Sequence, residues 1–516
     1  METKYPIGIQ NFEKLRRDGC VYVDKTDLIY RLISNGFYYF LSRPRRFGKS
    51  LLLSTIEAYF EGKRELFRGL AIDTLTEEWE PRPVLHLDLN TANLANTEAL
   101  NRHLKYHLDV WDKKYDINSS TDGNLADRFQ TIIRSIREKT GRKVVILIDE
   151  YDKPLLMSVH DPDLEDRMRD ILKSFYGVLK SRDGGIKFGM MTGVTKFGKI
   201  SIFSDLNNLN DITLDERFDT LCGITPAELT TYFSQGIKEM SDKNGVDTHV
   251  CLEMLRKTYD GYHFSKALRD VYNPFSLLNA LDKGEISSYW FETGTPTFLA
   301  HMIRRTHISL PNLDHENVGK SRMMTADLIS NDIVPVMFQS GYLTIKEYDR
   351  EFDEYLLSYP NLEVKQGFLR YLLPYFTPDY NSESAFDIKK FVREIRNGEP
   401  EAFMKRFSSL FAGFPYDQVG DCERHYHNVV YLTMTLLGFY VRSEYKTSDG
   451  RCDAVVMTDR FIYIFEFKYD KSAREALDQI IRKHYDAPFA ADSRKVFRIG
   501  VNFSSETRTI DDYIIQ

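Results

Sequence analysis

One segment near the start of the chain constrains its fold more than any other. Residues 37–42 (FYYFLS) form a β-rich apolar run, residues 43–50 (RPRRFGKS) follow as a loop, and residues 51–60 carry helical spacing. A strand, a Gly-Lys-Ser loop and a helix, in this order, form the context of a phosphate-binding loop, because the loop amides and the positive end of the helix both face an anion. The segment therefore predicts a phosphate site on an α/β domain.

The loop departs from the standard pattern, G-x-x-x-x-G-K-[ST], at its first position. Arg43 stands where that pattern has glycine, whereas Gly48, Lys49 and Ser50 keep the remainder. Gly48 allows close approach of the backbone, Lys49 can reach the β- and γ-phosphates, and the Ser50 hydroxyl can ligate Mg²⁺. The half of the pattern that carries the chemistry is therefore intact.

The arginine at position 43 also bears on its basic neighbours. Arginine is less free than glycine to adopt positive φ, so we expect the loop to offer fewer backbone N–H groups to the phosphates. The planar guanidinium groups of Arg45 and Arg46 would then supply part of the phosphate binding. The sequence leaves open that these two side chains form a solvated rim or contact nucleic acid instead.

A second apolar run, residues 143–149 (KVVILID), is typical of a strand that is buried on both faces of a parallel sheet. It ends at Asp149, which we expect to hold Mg²⁺ through water. Glu150 follows, and we expect it to polarise the attacking water. Strands alternate with helices over residues 37–195, which predicts a mostly parallel sheet. At the end of the next predicted strand, Thr192 or Thr195 is a candidate sensor of the γ-phosphate.

The C-terminal region carries a separate acidic pattern. Asp453 opens one predicted strand, and Glu466 and Lys468 close the next. Because side chains alternate along a strand, Glu466 and Lys468 share one face and Phe467 turns into the core. Two carboxylates with a lysine beside them suit metal-dependent phosphodiester cleavage, with Asp453 and Glu466 as ligands and Lys468 assisting the nucleophile. Glu423, on the preceding predicted helix, is a candidate third acid. For Glu466 and Lys468, a simple salt bridge between the two side chains is the alternative interpretation.

Charge and cysteine content narrow the classes of protein to which this chain can belong. The chain has 69 basic and 76 acidic residues, a net charge of −7, which disfavours a globally basic nucleic-acid binder, although residues 42–68 hold seven basic and three acidic residues. The five cysteines are scattered and never spaced as CxxC. That spacing favours a reducing cytoplasm over a disulfide framework or zinc site.

No apolar run approaches the roughly 18 residues of a membrane span and the N-terminus lacks a secretory h-region, so we expect a cytoplasmic protein without a membrane partner.

Several further motifs occur along the chain beside the loop over residues 43–51. They are residues 5–8 (YPIG), 22–26 (YVDKT), 148–155 (IDEYDKPL), 221–225 (LCGIT), 259–262 (YDGY) and 272–275 (YNPF). Together they resemble a family of bacterial AAA-like ATPases, in which arginine at the first position of the Walker A loop is the rule. The resemblance covers nearly the whole chain. It implies a C-terminal domain of the PD-(D/E)XK nuclease superfamily.

The resemblance also implies site residues and ligands. It implies that ATP and Mg²⁺ are bound by Arg45, Arg46, Phe47, Gly48, Lys49, Ser50, Leu51 and Asp149. In the C-terminal domain, residues 479–485 (QIIRKHY) are similar to the Q-I-x-x-K-x-Y pattern of the nuclease superfamily, which makes Gln479 its auxiliary glutamine. AAA-like ATPases often take an arginine finger from a neighbouring subunit. The resemblance therefore allows a homo-oligomer, with Arg217 one of several candidate fingers, and the sequence leaves the oligomeric state open.

These observations predict three regions. Residues 1–224 form an ASCE-type P-loop ATPase domain with a parallel sheet, residues 225–385 a helical module that includes a helix over residues 297–304, and residues 386–516 a PD-(D/E)XK-like α/β domain. In the leading hypothesis, ATP hydrolysis with Glu150 as base gates a Mg²⁺-dependent nuclease acting on nucleic acid, DNA in preference to RNA. The alternative is a nucleotide-dependent switch or nucleic-acid-binding module without cleavage. From residue 421 onward there are 14 basic and 15 acidic residues, which favours this alternative because extensive phosphate contact needs more positive charge.

Overall fold

The chain folds into two compact units. The computed structural model describes residues 4–90, 94–119, 124–158, 161–196, 209–292, 299, 310–324, 332–376, 388–411, 422–438, 442–445 and 452–516. The first unit comprises Met1–Leu299 and His315–Val364, and the second comprises Ala300–Asp314 and Lys365–Gln516. The three-region division stays a prediction, because its boundary near residue 385, like most of the helix predicted over residues 297–304, lies outside the described residues.

A parallel five-stranded sheet forms the centre of the first unit, in the order β2-β3-β4-β1-β5. Every residue of β1 and β3 is buried, as expected for strands covered on both faces. β4 separates the strand that leads into the phosphate loop from the strand that ends at Asp149. This extra strand defines the ASCE arrangement, so the predicted α/β fold class is confirmed. The strands are β1 (Tyr38–Ser42), β2 (Val84–Asp88), β3 (Val144–Asp149), β4 (Ile186–Gly193) and β5 (Asn210–Asp211).

Helices precede, join and follow these strands. They are α1 (Phe12–Arg17), α2 (Thr26–Asn35), α3 (Lys49–Phe60), α4 (Ala71–Leu75), α5 (Thr97–Tyr115), α6 (Leu125–Thr140), α7 (Lys153–Ser158), α8 (Pro162–Tyr176), α9 (Val178–Ser181), α10 (Pro226–Tyr232), α11 (Ser234–Asn244), α12 (Thr248–Tyr259), α13 (Pro274–Lys283) and α14 (Tyr289–Glu292). Helices α10 to α13 share one apolar core with the N-terminal segment that contains Tyr5 and Ile7.

Two of the sequence motifs are helix starts. Thr225 and Glu228 form a capping box at the N-terminus of α10, each side chain bonding the other's backbone N–H. The Asn273 side chain accepts hydrogen bonds from the backbone N–H groups of Phe275 and Ser276 at the start of α13. Both helices have proline in the first turn, where no N–H is required. The segments 221–225 and 272–275 therefore place these helices locally.

The remainder of the first unit contains a small antiparallel sheet in the order β6-β8-β7. It is formed by β6 (Glu316–Gly319), β7 (Thr344–Asp349) and β8 (Glu354–Ser358), with α16 (Lys320–Met324) and α17 (Val334–Ser340) beside it. Helix α18 (Leu362–Phe376) follows; the first unit ends within it at Val364, and its remaining residues belong to the second unit. The short helix α15 (Leu310–Leu313) belongs to the second unit.

The second unit is built on a mixed five-stranded sheet in the order β13-β12-β11-β10-β9. Only β11 and β12 pair in parallel, and the other neighbours are antiparallel. Helices α19, α20 and α21 cover one face through a large aromatic core, and α22 covers the other. The elements are α19 (Ile388–Asn397), α20 (Pro400–Ser409), α21 (Cys422–Leu437), β9 (Arg442–Tyr445), β10 (Ala454–Met457), β11 (Phe461–Tyr469), α22 (Ala473–Arg482), β12 (Lys495–Ser504) and β13 (Thr509–Ile515). In the described part of the chain, no helix is both long and apolar enough to cross a bilayer.

Candidate functional sites

The loop between β1 and α3 turns at two residues with left-handed backbone. Arg46 has a φ of 66°, and Gly48, which caps α3, has a φ of 95°. Glycine adopts this conformation freely, whereas another residue pays roughly 1–2 kcal/mol there. Arg43 is not among the described residues with positive φ. The turn that we expected to be restricted at position 43 is therefore made at Arg46 and Gly48 instead.

The side chain of Arg43 is buried and ties the loop to the segment that follows β5. One guanidinium nitrogen donates to the carbonyl oxygens of Ser42 at 2.9 Å and Thr213 at 2.8 Å, and another donates to that of Phe218 at 3.3 Å. The guanidinium carbon also lies 4.2 Å from the centroid of the Phe264 ring. Burial lowers the pKa of Arg43 to about 10. Arginine at this position therefore anchors the start of the loop, a role that the sequence did not reveal.

The structure brings Lys49 and Glu150 together at the ends of their elements. Lys49 Nζ lies 3.2 Å from Glu150 Oε1, and the two side chains are 3% and 17% exposed. The same ammonium donates to the carbonyl oxygens of Arg43 at 3.0 Å and Pro44 at 3.3 Å. Glu150 takes a φ of 52°, an uncommon conformation for a residue with a side chain. A cationic donor and a carboxylate therefore face each other beside the loop.

Asp149 is buried at the end of β3 and is held by two hydrogen bonds. Thr192 Oγ1 donates to its Oδ1 at 2.6 Å, and the backbone N–H of Glu150 donates to the same oxygen at 3.0 Å. Its hard carboxylate and the Ser50 hydroxyl, on the first turn of α3, are donor types that suit Mg²⁺. The hydroxyl of Thr192 thus supports Asp149, and its role as a sensor of the γ-phosphate stays a prediction.

Asp152 is a buried acid that we did not single out for this edge of the sheet. Its carboxylate accepts hydrogen bonds from the backbone N–H groups of Val194 at 3.1 Å and Thr195 at 2.6 Å, and from the Thr195 hydroxyl at 2.7 Å. Burial, followed by the negative charge of Glu150, raises the pKa of Asp152 to about 6. Thr195 therefore also supports a carboxylate. The second aspartate of the 148–155 motif was the sequence signal for this link between β3 and β4.

Gly193, at the end of β4, leaves room for this link. A Cβ at position 193 would lie 2.6 Å from Asp152 Oδ1 and 2.6 Å from the nearest ring carbon of Tyr151. We expect Gly193→Ala to lower the free energy of unfolding by about 1–3 kcal/mol, because the crowded ring and carboxylate must shift. Urea denaturation followed by circular dichroism measures the change. Gly319→Ala is the matched control, since no heavy atom lies within 4 Å of its Cβ position; equal midpoints for the two variants would contradict this account.

The remaining predicted loop residues divide into exposed and buried ones. Arg45 and Arg46 are exposed, and the Arg46 guanidinium carbon lies 4.0 Å from the centroid of the Phe275 ring. Phe47, which the family resemblance placed in the cofactor site, is buried, and its ring lies 4.8 Å from that of Tyr262. The Phe47 side chain therefore holds the loop against the 259–262 motif.

An apolar cavity of about 640 Å³ adjoins the start of α3. Gly48 and Leu51 form one side, and Tyr22 and Phe233 are among the rings that line it. The only charged residue along its lining, in the part of the chain that the structure describes, is Lys25, whose Nζ lies 2.6 Å from a carboxylate oxygen of Glu228. The apolar lining of this cavity, with its aromatic rings, suits a small ligand with an aromatic group.

In the second unit, four predicted residues form one connected site. Lys468 Nζ donates to Glu466 Oε1 at 2.9 Å and to Gln479 Oε1 at 2.7 Å, and the Gln479 amide nitrogen donates to Glu466 Oε1. Asp453 Oδ2 accepts the backbone N–H of Phe467 at 2.8 Å, which places the aspartate beside β11. Strand alternation and the helix α22 together bring the predicted set into contact.

The two carboxylates of this site fit a divalent cation. Glu466 is 2% exposed, and its Oε2 is buried without a hydrogen-bond partner among the described residues. Burial, followed by the charge of Asp453, raises the pKa of Glu466, and burial raises the pKa of Asp453. Two acids that destabilise each other's charged form, one with a free buried oxygen, gain from a bound cation. Mg²⁺ is commonly held by one or two carboxylates plus water and substrate phosphates.

Glu423 does not join these two acids as a third ligand. Its side chain is 58% exposed on α21, with Oε1 3.8 Å from His427 Nε2. It shares with Asp453 the lining of a cavity of about 740 Å³. Across the described residues, no group of three or more His, Cys, Asp or Glu side chains is placed to hold a metal ion. A role for Glu423 in the nuclease-like site therefore stays a prediction.

Comparisons with known proteins match both domains in which these candidate sites lie. The sequence model of the family described as predicted AAA-ATPase matches residues 6–203, and that of the PD-(D/E)XK nuclease superfamily matches residues 421–513. These matches define the class of protein: an AAA-like ATPase domain is joined to a nuclease-superfamily domain in one chain. An Azotobacter chroococcum mcd 1 protein, described as an uncharacterized protein in the vnfD 5′ region, is 35% identical over 523 residues, 99% of each chain. The chain belongs to the family of this relative, as the resemblance predicted.

Three solved structures show a distant similarity to this chain. The Aeropyrum pernix ORC2 protein in its ADPNP-ADP complexes is 11% identical, with 68% of this chain and 88% of that chain covered and a TM-score of 0.26. The Aeropyrum pernix ORC1 protein in complex with DNA is 10% identical over 68% and 93% of the two chains, with a TM-score of 0.24. Cdc6p from Pyrobaculum aerophilum is 11% identical over 67% and 93%, with a TM-score of 0.22.

Proposed function

We propose that this protein binds and hydrolyses ATP with Mg²⁺, and that its nucleotide state controls a Mg²⁺-dependent nuclease acting on DNA in preference to RNA. The observation that carries the first half is the juxtaposition of Lys49 and Glu150 at 3.2 Å beside the loop. A buried ammonium at this place would stabilise charge on the phosphates, and Glu150 would accept a proton from the attacking water. Asp149 and Ser50 would hold the metal ion.

The cavity beside α3 supports a nucleotide rather than a bare phosphate as the ligand. Its position next to Gly48 and Leu51 leaves room for a planar base when phosphates lie at the loop. Apolar and aromatic walls such as Tyr22 and Phe233 favour stacking with a base. We therefore assign an ATPase role to this domain, with ATP hydrolysed at the loop and its base bound in this cavity.

The nuclease half of the proposal rests on Glu466, Lys468, Asp453 and Gln479. A divalent cation, when bound, would neutralise charge on the phosphodiester and lower the pKa of a water nucleophile. Asp453 and Glu466 would hold it, and Lys468 would orient the nucleophile. Gln479 bonds both Glu466 and Lys468, so it positions the pair. Homo-oligomers and a cytoplasmic location are the remaining parts of the proposal.

A second candidate function is a nucleotide-dependent switch whose nuclease-like domain binds nucleic acid without cutting it. The observation in its favour is charge: residues 421–516 hold 14 basic and 15 acidic residues, a balance that allows local contacts to nucleic acid but not extensive nonspecific phosphate contact. The test is cleavage of end-labelled single- and double-stranded DNA and RNA with Mg²⁺ or Mn²⁺, with and without ATP. Cleavage that changes with ATP supports the leading proposal. Salt-sensitive binding without cleavage supports the switch.

Arg46 tests how the loop binds phosphate. Because its guanidinium is exposed beside the loop, Arg46→Ala should weaken ATP binding by about 1.5–3 kcal/mol, the scale of a hydrogen bond to a charged group. Titration with a fluorescent ATP analogue measures the affinity. Arg46→Lys keeps the charge, and Arg68→Ala removes an exposed arginine elsewhere in the unit. Equal affinity in wild type and Arg46→Ala at matched ionic strength would show that the side chain forms a solvated rim instead.

A further inference from the structure

The cavity of about 740 Å³ in the second unit has an aromatic wall next to the nuclease-like site. Four rings line it, from Tyr426 on α21, Phe467 and Tyr469 on β11 and Phe503 on β12. Asp453 and Lys468 line the same cavity, so this space borders the nuclease-like site at one of its two candidate metal ligands. A nucleotide adjacent to a phosphate bound at Asp453 would have its base within reach of these rings.

The rings form a continuous surface. Tyr426 stacks on Phe503 with ring centroids 4.7 Å apart and an interplanar angle of 14°. Tyr469 lies 5.9 Å from Tyr426, and Phe467 lies 5.9 Å from Phe503. Tyr426 and Phe503 are each 3% exposed, whereas Phe467 and Tyr469 remain partly exposed. The partly exposed rings on β11 are therefore the ones that a base can contact.

Charge around the cavity differs from that of a duplex-binding groove. The basic residues of its lining are Lys468, Lys471 and the exposed His427, and acidic Glu423 and Asp453 stand beside them. A lining that mixes basic and acidic residues in this way cannot contact both phosphate backbones of a duplex, because nonspecific duplex binding depends on many lysine and arginine contacts. Stacking on aromatic side chains, by contrast, binds unpaired bases with little need for charge.

We propose that the nuclease-like site takes an unpaired nucleotide, with the base adjoining the scissile phosphate stacked on Tyr469 and Phe467 in this cavity. The inference rests on the proposed nuclease function of the same site for its biological meaning. The substrate class is single-stranded nucleic acid or the single-stranded part of a branched or frayed duplex. A base held in the helical stack cannot enter the cavity, so duplexes bind only where a base is turned out.

Binding can be measured without cleavage, which separates this inference from the proposed function. The probe is a DNA 12-mer with 2-aminopurine at one central position, added to full-length protein with Ca²⁺ in place of Mg²⁺. Stacking on a ring quenches 2-aminopurine fluorescence. We expect quenching and binding at least about ten-fold tighter for the single strand than for the same sequence as a blunt duplex. A single-stranded RNA 12-mer, run in parallel, distinguishes the two nucleic acids as ligands.

Two variants test the ring itself. Tyr469→Ala should weaken binding of the single strand by about ten-fold or more and abolish the quenching, since one stacking contact is lost. Tyr469→Phe keeps the ring and should bind like wild type. Circular dichroism confirms that each variant is folded, and the wild-type preference for single strands needs no variant. Tighter binding of the duplex, or unchanged quenching in folded Tyr469→Ala, would overturn the inference, whereas single-strand binding without cleavage would leave it standing and reject the nuclease function.

Discussion

Lys49→Ala is expected to reduce ATP hydrolysis by about a hundredfold or more. Removing one donor that is aimed at developing charge costs on the order of 10²–10³ in rate, and Lys49 is a buried cation at the phosphate loop. Its Nζ also holds two carbonyl oxygens of the loop, so the variant loses the donor and the support of the loop together. Phosphate release at saturating ATP measures the rate, and titration with a fluorescent ATP analogue measures binding.

Stability must be separated from catalysis in this experiment. Truncation of Lys49 leaves the Glu150 carboxylate without its ion-pair partner, which costs free energy of folding in a buried setting. Thermal unfolding of the variant therefore accompanies the rate measurement. Lys63→Ala is the control, because Lys63 forms ion pairs with Glu13 and Glu61 elsewhere in the same unit. A folded Lys49→Ala protein with the wild-type rate of ATP hydrolysis would refute the ATPase proposal.

Glu466→Gln is expected to lower nucleic-acid cleavage by about 10³-fold, on the order of 4 kcal/mol of transition-state stabilisation. The amide keeps the shape and can still bond Lys468 and Gln479, but it removes the negative charge that would hold the metal ion. The side chain is almost fully buried, so bulk solvent cannot replace its free Oε2 as a ligand. Gel analysis of end-labelled DNA with Mg²⁺ measures the loss, with and without ATP.

The control for this prediction is a carboxylate outside the site. Glu506→Gln makes the same chemical change at an exposed position after β12 and should cleave at the wild-type rate. Binding in Ca²⁺ should remain measurable for Glu466→Gln, because the aromatic cavity is unchanged. Cleavage by folded Glu466→Gln equal to that of wild type would mean that any nuclease activity comes from another site or from a contaminant.

The sequence by itself determined where the chemistry-bearing residues lie along the chain. A Gly-Lys-Ser loop after a buried strand and an Asp-Glu pair after another predicted the edge at which Lys49, Asp149 and Glu150 are found. Parallel strands that leave the sheet at one edge bring their carboxyl ends together, so local patterns were sufficient. The same holds for Glu466 and Lys468, because strand alternation alone puts them on one face.

Only the tertiary structure decided what the neighbouring residues do. Arg43 bonds carbonyl oxygens as far away in sequence as Phe218, and a backbone carbonyl carries no side-chain identity that a motif could record. Thr192 proved to support Asp149, and Phe47 proved to pack on Tyr262. Contacts of this kind depend on how distant elements pack against one another. Periodicity and spacing describe one element at a time, which is why they predicted the two sites but not the side chains that hold them in place.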